Sequence, residues 1–297
     1  MLFRLKSRWA KERFYRLTAG ILDTPPMPVV DAPWTMISMV SNSDAQMYIL
    51  AMKSFYLRIK RGKIIAIVDR DMPVSVRQTL ERHLPGIRFA ILEDIKTGPC
   101  QRGGTWERVL YVLDHSREEY AIQIDADTLT FGHDIDEVIR CVENNISFTL
   151  GNKGRPIEPM LSIVPVSRAD KSNYVGVVAE RRFDEYPGAV NLKYVQASSG
   201  FCGFARGGIS RKEIETFHIE GEKLLGERWK EWGTEQSASN FAIANSANAI
   251  VLPYPKYANF GPETRSGSSF LHFIGSFRYN NDYFANRAKG VIAELNA

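Results

Sequence analysis

Between Trp34 and Ile124 the chain alternates short apolar runs with longer amphipathic ones, and this alternation restricts the fold more than any other feature. WTMISMV (34 to 40), KIIAIVD (63 to 69), IRFAIL (87 to 92) and YAIQI (120 to 124) read as buried strands. Asp44 to Lys60, with Asp44 as N-cap, Val74 to His83 and Thr105 to His115 read as the helices between them. Strand, helix, strand, helix is the pattern of an α/β fold with a parallel, doubly wound sheet. In such sheets ligands bind beyond the carboxyl ends of the strands.

Further along, a helix near Asp134 to Asn144 and a strand at 146 to 151 continue the pattern. Residues 152 to 192, which hold RADKSNY and ERRFDEYPG, show no clear period and are expected to form a mobile or excursive segment. VQASSGFCGFAR (195 to 206) returns to β character. Ser210 and Glu213 form a capping box before a helix running to about Trp229, a further helix covers about Glu235 to Ser246, and AIVLP (249 to 253) reads as a strand.

No apolar run approaches the ~20 residues of a spanning helix, and the N-terminus lacks the apolar core of a secretory signal. A cytoplasmic protein is expected. Three cysteines, Cys100, Cys141 and Cys202, fit reduced thiols better than a disulfide framework or a zinc site. The net charge of +4 is concentrated at one end: residues 1 to 20 carry Arg4, Lys6, Arg8, Lys11, Arg13 and Arg16 against Glu12 alone. The rest is close to neutral, which argues against a nucleic-acid partner. Residues 1 to 33 are therefore read as a basic helical arm with a Pro-rich linker, DTPPMPVVDAPW, and residues 34 to 297 as the catalytic domain. Bases interleaved with Trp9, Phe14 and Leu17 suit a peripheral contact of residues 1 to 22 with an anionic membrane. Lys6, Arg13 and Arg16 fall among the apolar positions of the wheel, however, so a helix packed on the body is the other reading.

The Tyr120 strand ends in Asp125 and Asp127, followed by Thr128 and Thr130. Two carboxylates at i and i+2 after a buried strand can grip one hard divalent cation; the same pair can also simply end the strand and cap a turn. A phosphatase of the DxDx(T/V) kind is disfavoured, because Leu129 occupies the fifth position. A nucleotidyltransferase would want a Gly-rich phosphate loop after the first strand, and SNSDAQ (41 to 46) is not one. Late in the chain, His272, Gly275 and Arg278 have the spacing H-x-x-G-x-x-(K/R). His272 would complete an Asp–Asp–His site favouring Mn²⁺ over Mg²⁺, Gly275 would admit a diphosphate close to the backbone, and Arg278 would offset its charge.

With the DxD at Asp125 and Asp127 and the late His272 motif, the chain resembles glycosyltransferase family 8, the retaining group that includes glycogenin and bacterial lipopolysaccharide galactosyl- and glucosyltransferases. Other family positions follow in order over about residues 34 to 280. Arg108 lies seventeen residues before Asp125, Ser199-Gly200 stand for a Ser-Gly turn, Glu235-Gln236 stand for an Asp-Gln pair with Asn240 after it, and LPYPKYANF (252 to 260) looks like the family's LP-x-x-(Y/W)-N strand and loop. Glu235, Arg278 and Ser198 depart from the family's Asp, Lys and Asn.

The resemblance implies a GT-A fold, Rossmann-like with a mostly parallel central sheet flanked by helices. It implies a nucleotide-sugar donor, a UDP-sugar with Mn²⁺ (or Mg²⁺), and a glycan or glycolipid acceptor. Arg108 would reach the donor, Gln236 would lie behind the anomeric carbon in a retaining transfer, and Glu235 would bind sugar hydroxyls. If the enzyme inverts instead, Glu235 is the first candidate for general base. A protein that binds sugar nucleotides with weak turnover is the further alternative.

Overall fold

The alternation expected from Trp34 onward is realised almost residue for residue. The computed structural model describes residues 2–275 and 278–297, and side chains from Arg8 onward except that of Asn280. The arm's Met1, Leu2, Phe3, Arg4, Leu5 and Lys6 side chains lie outside the described residues. In chain order the elements are α1 (Leu2–Leu17), β1 (Trp34–Val40), α2 (Ala45–Ile59), β2 (Lys63–Val68), α3 (Val74–His83), β3 (Arg88–Ile91), α4 (Trp106–Ser116), β4 (Tyr120–Ile124) and β5 (Thr128–Thr130). They continue with α5 (Asp136–Glu143), β6 (Phe148–Gly151), β7 (Glu158–Pro159), α6 (Met160–Ala169), α7 (Val175–Glu180), β8 (Lys193–Tyr194), β9 (Ala197–Phe204), α8 (Arg211–Leu225) and α9 (Thr234–Ala244). Last come β10 (Ile250–Val251), β11 (Tyr257–Asn259), β12 (Phe270–His272) and α10 (Tyr283–Leu295). The fold is mixed α/β, with mostly parallel strands flanked by helices.

Two compact units share the chain. The first comprises residues 1–92, 124–139 and 253–297. In it β1, β2 and β3 pair in parallel, Thr35 opposite Lys63 and Ile65 opposite Arg88, and every residue of β1 except Met39 is buried. A second, small sheet orders β11, β12 and β5. Asp44 occupies the N-cap of α2, but its carboxylate accepts from Ser41 Oγ at 2.7 Å instead of capping the helix.

The stretch read as arm and linker is packed within this unit. Phe14 is buried against Phe284 of α10, with ring centroids 4.7 Å apart, and Arg13 pairs with Asp282 at 2.7 Å. The linker is pinned by Lys53 of α2, whose buried ammonium donates to Thr24 Oγ1 at 2.7 Å and the Pro25 carbonyl at 2.6 Å, with His83 Nδ1 at 3.1 Å. A buried cation satisfied by oxygens in this way ties linker to helix, because losing any partner would strand its charge.

The second unit comprises residues 93–123 and 140–252, with strand order β10, β6, β9, β4. β10 runs parallel to β6 and β9 antiparallel to it. Ser210 caps α8 as expected, its hydroxyl accepting from the Glu213 N–H while the Glu213 carboxylate accepts from the Ser210 N–H at 2.7 Å. Residues 152 to 192 correct the expectation of a featureless excursion. They form α6 and α7, whose Ile163, Val164, Val175 and Ala179 are buried. Pro165 within α6 and the short length of α7 had hidden the helical period.

Candidate functional site

The first unit builds one site from its small sheet. Leaving β4, the chain turns through Asp125, Ala126 and Asp127, and Thr128 Oγ1 closes the turn by donating to the Asp125 carbonyl at 2.8 Å. β12 pairs antiparallel with β5, placing His272 opposite Thr128, and the Phe273 N–H donates to the Asp127 carbonyl at 2.8 Å. This register delivers the imidazole to both carboxylates. His272 Nε2 lies 3.5 Å from Asp125 Oδ2 and 3.3 Å from Asp127 Oδ1.

On the other side of β12, β11 sets Asn259 across from His272, with Asn259 Oδ1 at 3.0 Å from Nδ1. With that amide oxygen accepting from Nδ1–H, Nε2 is the nitrogen turned to the carboxylates, and it is the one that can bind a metal once its proton is displaced. One ligand atom each from Asp125, Asp127 and His272 lies within 4.8 Å of the others. Two hard oxygens and one imidazole nitrogen at this span fit a single Mn²⁺ or Mg²⁺.

Asp127 and His272 are buried, whereas the Asp125 side chain keeps 22% exposure. Burial disfavours the charged form of Asp127, but His272 and Arg278 outweigh it and hold the carboxyl below the usual carboxylate range. Burial likewise opposes charge on His272, and Asp127 and Asp125 outweigh it in the upward direction. Arg278 contacts Asp127 Oδ2 through Nη2. Gly275, at φ +47°, starts the turn that brings Arg278 back, its carbonyl accepting from the Arg278 N–H at 3.3 Å. That positive φ favours glycine.

Within the second unit, α4 and α9 begin side by side, joined by a hydrogen bond from Trp106 Nε1 to Thr234 Oγ1 at 3.0 Å. Arg108 and Glu235 then meet at 2.8 Å with both side chains buried. Glu235 spans from the first turn of α9 to the guanidinium. Gln236 turns the other way, with Nε2 at 3.5 Å from Tyr174 Oη, and lines a polar cavity of about 260 Å³. Ser199 and Gly200 lie in neither cluster. They sit buried inside β9, where the pairing with β6 jumps between Thr149 opposite Cys202 and Leu150 opposite Ser198. The expected turn is thus an irregularity within a strand.

No protein-family model matches the sequence, and no curated protein matches it. Solved structures do. WbbM, a bifunctional glycosyltransferase, superposes with a TM-score of 0.54 at 15% identity over 90% of this chain and 50% of that one. The chain therefore spans about half the length of WbbM. An active-site mutant of LgtC superposes with a TM-score of 0.50 at 13% identity, covering 89% of this chain and 96% of that one. The fold is GT-A. At such identities the likeness is one of fold, and the GT-A architecture expected from the sequence is the one this chain adopts.

Within the GT-A frame, the strand-end carboxylates and His272 form the one such group of possible metal ligands found among the described residues. Asn259 escaped the sequence reading as a functional residue, although it lies within the quoted LPYPKYANF stretch. Its role depends on the β11–β12 register, which no local pattern announces. Tyr174 and Glu180, lining the cavity beside Gln236, were hidden in the segment taken as an excursion. Among the described residues no helix is long and apolar enough to cross a membrane.

Proposed function

We propose that the chain is a metal-dependent glycosyltransferase that moves a sugar from a nucleotide-sugar, a UDP-sugar, to a hydroxyl of a glycan or glycolipid. The observation that carries this reading is the convergence of Asp125, Asp127 and His272 with Asn259 behind the imidazole, on a GT-A fold. Asp125, Asp127 and His272 would hold Mn²⁺ (or Mg²⁺), and the bound ion supplies Lewis acidity for the departing diphosphate oxygens. Asn259 would hold Nδ1–H and aim Nε2 at the ion, which would displace the Nε2 proton on binding. Arg278 neutralises one Asp127 oxygen in the absence of donor and stands ready to share its charge with a phosphate. At Gly275 no heavy atom of the described residues beyond its chain neighbours lies within 4 Å of where a Cβ would project.

The burial of Glu235 against Arg108 supports retention. A general base must reach an acceptor hydroxyl, and a carboxylate 4% exposed with a guanidinium on it is poorly placed to do so. In this reading Arg108 and Glu235 fix the start of α9, and Gln236 is the residue that meets the reacting sugar. The arm's membrane contact rests on Trp9, 75% exposed, with Leu22. Lys11 and Arg13 are engaged by Asp44 and Asp282, so fewer charges face an anionic surface than the sequence offers. Sedimentation with anionic vesicles at low and high salt tests that contact, and cytoplasmic placement goes with it.

Incubation with Mn²⁺ and mixed UDP- and GDP-sugars, read by mass spectrometry, tests the function. Consumption of a UDP-sugar that stops on chelation is expected, with the donor's anomeric configuration kept in the product by NMR coupling. Metal-independent consumption, or none, would remove the proposal; an inverted product would remove retention alone.

A further inference from the structure

Helix α1 reaches the turn that carries Arg278, and both belong to the first unit. Phe14, 2% exposed, is the centre of the contact. Its ring lies 4.7 Å from that of Phe284 and 5.4 Å from that of Tyr279, the residue after Arg278. Phe284 in turn stacks on Phe273, the residue after His272, with ring centroids 4.0 Å apart. One residue before Phe14, Arg13 holds both carboxylate oxygens of Asp282, from Nε at 2.9 Å and from Nη2 at 2.7 Å. α1 thus grips the chain just beyond Arg278 at Tyr279, Asp282 and Phe284.

α1 is itself fixed at a second place. Tyr15 Oη donates to the Ser43 carbonyl at 2.6 Å, in the turn that follows β1, and Gln46 Nε2 of α2 donates to the Tyr15 carbonyl at 2.8 Å. The hydrogen bonds that Arg278 makes within its own turn are weaker supports. Its N–H reaches the Gly275 carbonyl at 3.3 Å and its Nε reaches the Phe273 carbonyl at 3.4 Å, both long for an N–H···O bond. Its contact with Asp127 is the one that an arriving ion and phosphate would share. The place of the guanidinium is then left to what packs behind the turn, which is α1. A group already fixed by the protein costs a ligand less to engage.

We propose that Phe14 and Arg13 are positioning residues for donor binding: by holding Tyr279 and Asp282 they keep Arg278 where it can meet a diphosphate. This inference rests on the glycosyl-transfer reading, in which Arg278 faces a phosphate. It makes the inner face of α1 a support of the donor site, whatever the exposed face touches.

Calorimetry of UDP and of GDP binding to the full chain in saturating Mn²⁺ tests it. Phe14→Leu is expected to weaken nucleotide binding roughly tenfold, and Arg278→Gln at least as much. Adding Phe14→Leu to Arg278→Gln should then cost nothing further, because the ring acts only through the guanidinium. A Phe14 that merely supports the fold would lower affinity by the same factor with or without Arg278. Arg13→Gln lies at the surface and decides the matter if Phe14→Leu unfolds. It should weaken binding roughly threefold, the size of an exposed ion pair, and lose that effect in the Arg278→Gln protein. Unchanged affinity in the deciding variant, or a loss that recurs in full without Arg278, overturns the proposal while leaving the transfer reading. Failure of the unaltered protein to bind either nucleotide overturns both.

Discussion

Two buried charge clusters, one in each unit, are assembled from the same kinds of group and end differently. Arg108 and Glu235 balance each other, with side-chain exposures of 6% and 5%. Around Asp127, two carboxylates face one imidazole and Arg278, and Asp125 stays in reach of solvent at 22%. Asp127 and Asp125 favour a proton on the imidazole, one that a cation can displace, and one candidate ligand atom of each of the three lies within 4.8 Å of the others. The first cluster pairs one cation with one carboxylate at the starts of two helices. The second could hold a metal ion. Burial of a charged group therefore says little about its role until its partners are counted.

The contrast is broken most directly at Asp127. Asp127→Asn keeps the shape and should cut metal-dependent donor hydrolysis by ~10³-fold, as expected when charge on a ligand to the catalytic ion is lost. Its circular dichroism should match the unaltered protein, and activity above a tenth of the original would contradict the ligand role. Glu235→Ala should show the opposite profile. It removes the carboxylate 2.8 Å from the buried Arg108 guanidinium, and should destabilise the fold by about 3 kcal/mol in denaturant titration. Joint replacement, Arg108→Met with Glu235→Leu, should recover most of that loss; failure to recover would mean the pair does more than balance charge.

A smaller effect sharpens the comparison from the ligand side. Mn²⁺ at a hundredfold excess over its dissociation constant should stabilise the protein by about 2.7 kcal/mol, visible as a raised unfolding midpoint. The Arg108→Met, Glu235→Leu protein should keep this rise and Asp127→Asn should lose it. Equal rises in both would place the ion elsewhere. The smallest change concerns Asn259, which touches the imidazole and no carboxylate. Asn259→Ala should weaken Mn²⁺ binding roughly tenfold in calorimetry. An unchanged affinity would show that His272 needs no orienting partner.

Legibility followed the range of the interaction involved. β1 and α3 were read to the residue, and α2, β2 and α4 to within a residue or two at each end, because apolar periodicity and caps act within a few positions. The 152 to 192 segment failed for the same reason, since α6 carries an internal proline and α7 is only 6 residues long. In the candidate site, the Asp125–Asp127 pair was visible because both residues follow one strand. The roles of Arg108 and Glu235 were legible only as positions in a family pattern, and their mutual pairing was not.

What the sequence determined by itself is local: alternating strands and helices, carboxylates at the end of a buried strand, and the Ser210–Glu213 cap. These follow from backbone geometry and side-chain chemistry over one or two turns. Tertiary structure alone decided that His272 lies 3.3 Å from Asp127, that Asn259 stands behind it, and that Gln236 lines one cavity with Tyr174 and Glu180. Each depends on which strands pair and in what register, and a shift of one residue would send His272 to the opposite face of its sheet. Register is set by packing between segments far apart in the chain, a quantity that no local pattern encodes.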